Sequence, residues 1–166
     1  LNHDRPIDLI LDAMKDLPTA HLLVVGGAGD AKLGEMPSPH DRVLFYGARP
    51  YAELEPFYAT LDLGLGMLSD IPNSNVSLGN KVFDYMARGI PQLVPNTAIH
   101  TTRVILENAC GWSYTPKTFL PIVQGIMASP DERHRRGNLG RAAYERKYCW
   151  DVQAPGFMKV VEGLVK

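Results

Sequence analysis

The stretch His21-Leu22-Leu23-Val24-Val25-Gly26 decides the reading of this chain. It is a continuous apolar run closed by glycine, without alternation between oily and polar positions. Such a run fits a strand covered on both faces, as in a parallel sheet. Upstream, Ile7, Leu9, Ile10, Leu11, Met14 and Leu17 form one broad apolar face and Pro6 suits a first turn, which predicts a helix over residues 5–16. Downstream, Gly26, Gly27, Gly29, Gly34, Pro37 and Pro39 mark a long loop. Arg42-Val43-Leu44-Phe45-Tyr46-Gly47 predicts a second strand, again closed by glycine, and residues 51–59 a short helix. Leu61-Asp62-Leu63-Gly64-Leu65-Gly66-Met67 predicts a third strand whose small residues imply close backbone approach.

Residues 69–79 are polar and contain Pro and Asn, which predicts a loop. A helix over 80–88 stops at Gly89. A strand at 92–94, a helix over 100–108 and a strand at 112–114 follow, then helices over 117–128, 131–147 and 151–165. Strands alternating with helices predict an α/β fold, a doubly wound and mostly parallel Rossmann-like sheet flanked by helices. Ligands of such sheets bind outside the carboxyl ends of the strands. The first strand of such a unit is missing, because the chain opens on its first helix, and Leu1 stands where Met is usual. The expectation is one domain, residues 1–166, cut from a longer protein.

The bulk numbers narrow the function. The chain has 166 residues, 45% hydrophobic and 21% charged, which suits a globular domain able to bury its own core. Seventeen basic against 18 acidic residues give a net charge of −1, so nucleic acid is not the expected partner. The local basic run Arg133-His134-Arg135-Arg136 reads as a solvated helix face. Cys110 and Cys149 lie far apart without metal-ligand spacing, so neither a disulfide framework nor a zinc site is expected, and a reducing compartment is the simplest setting. No carboxylate has the spacing to join Asp70 in a metal site, and no metal is expected. No run approaches the ~20 apolar residues of a membrane span, and no signal peptide leads the chain.

The segment richest in chemistry is Gly79-Asn80-Lys81-Val82-Phe83-Asp84-Tyr85-Met86-Ala87-Arg88-Gly89-Ile90-Pro91. A helix start next to Asn80 and Lys81 favours an anion through its backbone N–H groups, its dipole and the lysine charge. Asp84, three and four positions on, shares their face, and its carboxylate can accept two hydrogen bonds from a ribose. Spacing alone leaves a plainer alternative open, a Lys81–Asp84 surface ion pair of little worth. Gly26, Gly27 and Gly29 make a glycine-rich strand end that serves a tight turn as readily as a ligand. Arg5 and Arg49 are either phosphate grips or plain surface arginines.

That segment closely resembles the Pro-Asn-Lys-aliphatic-Phe-Glu-Tyr-Met-Ala-x-Gly-x-Pro stretch of group 1 glycosyltransferases with the GT-B fold. Other pieces agree in order and spacing. Arg5-Pro6-Ile7-Asp8-Leu9-Ile10-Leu11-Asp12-Ala13 is similar to the family's early Lys-Gly-aliphatic-Asp-x-Leu-Ile-x-Ala helix. Leu22-Leu23-Val24-Val25-Gly26-Gly27 is similar to its strand ending in a glycine pair. Val43-Leu44-Phe45-Tyr46-Gly47, with Leu54, Phe57, Tyr58, Ala59 and Asp62, is similar to its strand–helix–strand unit. Tyr148-Cys149-Trp150-Asp151 resembles the aromatic entry to the last helix. The resemblance covers nearly the whole chain.

The resemblance implies the donor half of an enzyme that transfers a sugar from a UDP- or GDP-linked donor, with retention at the anomeric carbon and without a cofactor. It implies that Arg5, Gly27, Asn80 and Lys81 lie along the diphosphate and that Asp84 binds the ribose. Gly47, Ala48 and Arg49 would lie beside the base, and Asn73, Ser74, Asn75 and Ser77 on the sugar side. Asp84 is one methylene shorter than the family's Glu, Val76 stands where many relatives carry a sugar-contacting Glu, and Pro6 replaces a glycine. An N-terminal acceptor domain of the same protein is the implied partner, and the apolar positions of residues 151–166 would pack across that junction or on the chain's own sheet. A cytoplasmic location is expected, with peripheral contact at the inner membrane surface open to the full-length enzyme. Two other classes fit the same residues: a nucleotide-sugar-binding module without turnover, and an epimerase-type domain. A redox dinucleotide role fits poorly, because no Gly-x-Gly-x-x-Gly follows the first strand.

Overall fold

The structure is a computed structural model that describes residues 7–26, 41–67 and 70–164, apart from the Ser74 side chain. Helix α1, Asp8–Ala13, runs into a 3-10 turn, Met14–Asp16. Ile7, Ile10, Leu11 and Met14 recur at helical spacing and are all buried, while Asp12 and Lys15 pair in solvent at 2.8 Å. Strand β1, Leu22–Val24, pairs in parallel with β2, Val43–Phe45. A 3-10 turn, Tyr51–Glu53, and helix α2, Glu55–Tyr58, lead to β3, Gly64–Leu65.

The third strand is thus two residues long instead of the seven expected. Its small residues mark a close approach of side chains rather than of another backbone. A Cβ on Gly64 would lie 2.7 Å from the Tyr85 ring, and one on Gly66 would lie 2.8 Å from Val94. The expected loop over 69–79 contains helix α3, Pro72–Val76. Helix α4, Lys81–Ala87, ends at Gly89, whose φ of +67° suits glycine. Strand β4, Gln92–Pro95, is buried at every position and lies between β3 and β5, Gly111–Tyr114, parallel to both. Helix α5, Ile99–Glu107, joins β4 to β5. Helices α6, Phe119–Met127, and α7, Pro130–Ala143, a π turn, Tyr144–Tyr148, and α8, Trp150–Leu164, complete the chain.

All described strand pairs are parallel, and the architecture is the Rossmann-like α/β fold expected. One core unites α1, α6 and residues of both sheets, including Leu22, Val43, Leu93 and Phe119. A second joins α4, β4, α5 and α7 through Val82, Met86, Val94, Ile105 and Cys110. Met86, Leu93 and Ile105 are fully enclosed, and side chains of this size each contribute roughly 1.5–3 kcal/mol when buried.

Two expectations for the later helices change. Arg133 and Arg136 do not form a merely solvated face. Arg133 donates to the Ile126 and Met127 carbonyls at 2.7 and 2.9 Å, satisfying the open end of α6. Arg136 donates to the Gly111 carbonyl and stacks over Trp112, with its guanidinium 4.5 Å from the ring centre. Helix α8 does not pack on the chain's own sheet: none of its residues is buried, and Trp150, Phe157, Val160 and Leu164 are exposed. Trp150, 65% exposed, therefore is no core residue in this chain.

Candidate functional site

Helix α4 places its acid by periodicity. Val82 and Met86, four apart, enter the second core, which turns Asp84 to the opposite side. Tyr85 turns the other way and lies on Gly64, where burial pushes its hydroxyl up to about 12. The Asp84 side chain is 21% exposed, so it is neither sealed in the core nor loose in solvent.

The Tyr51 hydroxyl donates to Asp84 Oδ1 at 2.7 Å. This bond joins the segment after β2 to the helix that follows β3. Arg88, one turn beyond Asp84, brings Nη1 to 3.6 Å from the same oxygen and donates to the Asp84 carbonyl at 3.0 Å. Its Nε and Nη2 both reach Glu55 Oε2, at 2.9 and 2.7 Å. The guanidinium also lies 4.1 Å from the centre of the Tyr58 ring. The Glu55 hydrogen bond holds the Arg88 pKa above its ordinary value, with further help from Tyr51. Tyr58 meets Tyr85 edge-on at 5.9 Å, and its hydroxyl pKa is raised first by burial and then by the Asp84 charge. An open cavity of about 380 Å³ borders this cluster, lined among others by Tyr51, Glu55, Asp84, Arg88, Arg141 and Tyr144.

The loop expected beside a base follows β2. Gly47 has a φ of +65° and accepts a hydrogen bond from the Gly26 N–H at 2.9 Å, so the ends of β1 and β2 stay together. Ala48 and Arg49 are exposed in the same loop, which leads into Tyr51 and so to Asp84. Asn80 and Lys81 are exposed at the start of α4, and the Asn80 side chain caps nothing. The Asn80 carbonyl already accepts from the Phe83 and Asp84 N–H groups at 3.0 and 3.1 Å. Asp84 meets Arg88 and Tyr51, partners that the spacing argument did not name.

Asn73, Ser74, Asn75 and Ser77, expected on the sugar side, belong to α3 and the turn after it. The Asn75 amide donates to Asp70 at 2.8 Å, and the Ser77 hydroxyl to the Asn73 carbonyl at 2.6 Å. Thr101 of α5 ties this segment down through the Ser77 carbonyl at 3.2 Å. Arg5, Gly27 and the Ser74 side chain lie outside the described residues. Among the described residues no group of three or more His, Cys, Asp and Glu could hold a metal ion. Nor is any helix among them long and apolar enough to cross a membrane.

Sequence reasoning missed Tyr51 and Arg88 as partners of the acid, and Glu55 and Tyr58 as partners of Arg88. The i, i+4 spacing of Asp84 and Arg88 was a usable signal. Nothing local announces Tyr51 or Glu55, each 33 residues from its partner.

Comparison with known proteins gives this architecture its class. The chain belongs to the glycosyl transferase-like family, whose model matches residues 5–158. Among solved structures, sucrose-phosphate synthase from Thermosynechococcus elongatus aligns with a TM-score of 0.80 at 20% identity, over 99% of this chain and 43% of its own. WaaG, a glycosyltransferase involved in lipopolysaccharide biosynthesis, aligns with a TM-score of 0.73 at 16% identity, over 92% of this chain and 42% of its own. These likenesses show a shared fold, the Rossmann-like half of a GT-B architecture. The chain spans less than half the length of either protein. No curated protein matches it in sequence.

Proposed function

We propose that this chain is the donor-binding half of a two-domain glycosyltransferase that transfers a sugar, with retention, from a UDP- or GDP-linked donor. The observation that carries the reading is the placement of Asp84. Within a family match running from residue 5 to 158, the carboxylate lies one turn into α4, bonded to the segment that follows β2. A ribose held there would put the base along Gly47, Ala48 and Arg49 and the diphosphate toward Asn80 and Lys81, with Arg5 and Gly27 on the same path. Asn73, Ser74, Asn75 and Ser77 would face the sugar.

The chemistry asked of this half is electrostatic. As the glycosidic bond breaks, negative charge builds on the departing diphosphate. The positive end of the α4 dipole and the Lys81 ammonium would stabilise it. No resident metal or cofactor enters this reading. The acceptor comes from a second, N-terminal domain, and closure of the two excludes water that would otherwise hydrolyse the donor. The exposed apolar residues of α8 are the surface offered across that junction.

Calorimetric titration with UDP, GDP and ADP tests the reading. One of the first two should bind, and Asp84→Ala should weaken it by about 1–3 kcal/mol, the cost of leaving buried hydrogen-bonding groups unmatched. Unchanged affinity in the variant would remove Asp84 from the site.

A further inference from the structure

We infer that Tyr51 is an internal competitor for the nucleoside, its hydroxyl holding the Asp84 oxygen that a ribose diol takes on binding. The inference rests on Asp84 being the ribose acid and goes on to say what sets the strength of that contact. A vicinal diol offers two O–H donors, and a carboxylate receives both best with its two oxygens free. Here Oδ1 is already taken by a phenolic O–H at 2.7 Å, a charge-assisted bond of the stronger kind.

The neighbours decide which partner yields. Arg88 is fixed on three sides, by two hydrogen bonds to Glu55, one to the Asp84 carbonyl and the Tyr58 ring beneath it. It therefore sets the orientation of the carboxylate and cannot leave cheaply. Tyr51 is held more lightly: its hydroxyl reaches Asp84 and Arg88, but its side chain is exposed and sits on a 3-10 turn of three residues. Rotation about its side-chain bonds frees Oδ1 without disturbing a helix or strand. Tyr51 also follows Gly47, Ala48 and Arg49 in the same loop, so the ring it swings away lies where a base would arrive. The Tyr51–Asp84 bond of the empty protein is then a cost charged against every nucleoside that binds.

The test measures dissociation constants of UDP and GDP, and of their 2′,3′-dideoxy forms, for the full chain and for Tyr51→Phe, which loses only the hydroxyl. Tyr51→Leu, which also lacks it, is the second variant if the first fails to fold. The expected result is a wild-type preference for the ribose form. In the variant the ribose form binds about threefold to tenfold more tightly, while the dideoxy form is unchanged. If the ribose preference is present but loss of the hydroxyl leaves ribose affinity unchanged or weaker, the competitor role is overturned and the Asp84 reading survives. If the wild type binds both forms equally, or no form binds either protein, the Asp84 reading falls and Tyr51 with it.

Discussion

A methyl group at Gly64 would come within 2.8 Å of three atoms of the Tyr85 ring, closer than side chains tolerate. The ring is half-buried and meets Tyr58 edge-on, so it has little room to retreat. Gly64→Ala should therefore destabilise the fold by about 1–3 kcal/mol in a denaturant titration, the usual cost of overpacking. The run of small residues in 61–67 announced this contact, though not its partner. Residue types read from sequence show that two groups must meet closely. They do not show which two, when the second lies in another element. The same limit applied to Arg133 and Arg136. A basic run is usually solvated, and nothing local revealed that the Ile126 and Met127 carbonyls and the Gly111 carbonyl would claim two of its members.

Helices with a clear apolar period were legible as elements. Helix α1 kept the face expected of it, and α4 began one residue late and ended one early. The region over 69–79 was harder, because five residues of α3 carry too few apolar positions to show a period, while Pro72 is well suited to a first helical position. Helix α7 carries its own titratable device. Hydrogen bonds from Arg135 and Arg136 hold the Glu132 carboxyl down at about 2. Its folded value lies below its unfolded one, so its contribution is fully present above the ordinary value near 4.5 and is lost as pH falls toward 2. Thermal melts of wild type and Glu132→Gln should differ at pH 6 and converge as the pH approaches 2. A difference that persists at pH 2 would show that the carboxylate charge is not responsible. The pair is solvent-facing, so the difference should be small and should shrink in high salt.

At the scale of the molecule, alternation of apolar runs with helical periods was enough for a parallel α/β sheet, because that pattern constrains topology so strongly. The candidate site was half legible. Its acid and its helix start stood in one segment, whereas Tyr51 reaches the acid, and Glu55 and Tyr58 reach Arg88, only through tertiary folding. Fewer than half the residues of the aligned transferases are represented, and α8 presents Phe157, Val160 and Leu164 to solvent. This chain by itself should give no sugar transfer above background in a donor-consumption assay, even where it binds the nucleotide. Robust turnover would place the acceptor site within these residues and contradict the two-domain proposal.

Asp84 and Tyr85 are consecutive, one turned toward the proposed ligand and the other laid on the backbone of β3. Whatever grips the first must steady the second. Gly64, beneath that ring, and Gly66, two residues on, donate to the Pro91 and Leu93 carbonyls at 2.9 Å, and these amides open only when the short strand pulls away from its neighbour. Filling the site should therefore slow their exchange with deuterated solvent, carrying news of occupancy into the sheet through two adjacent side chains.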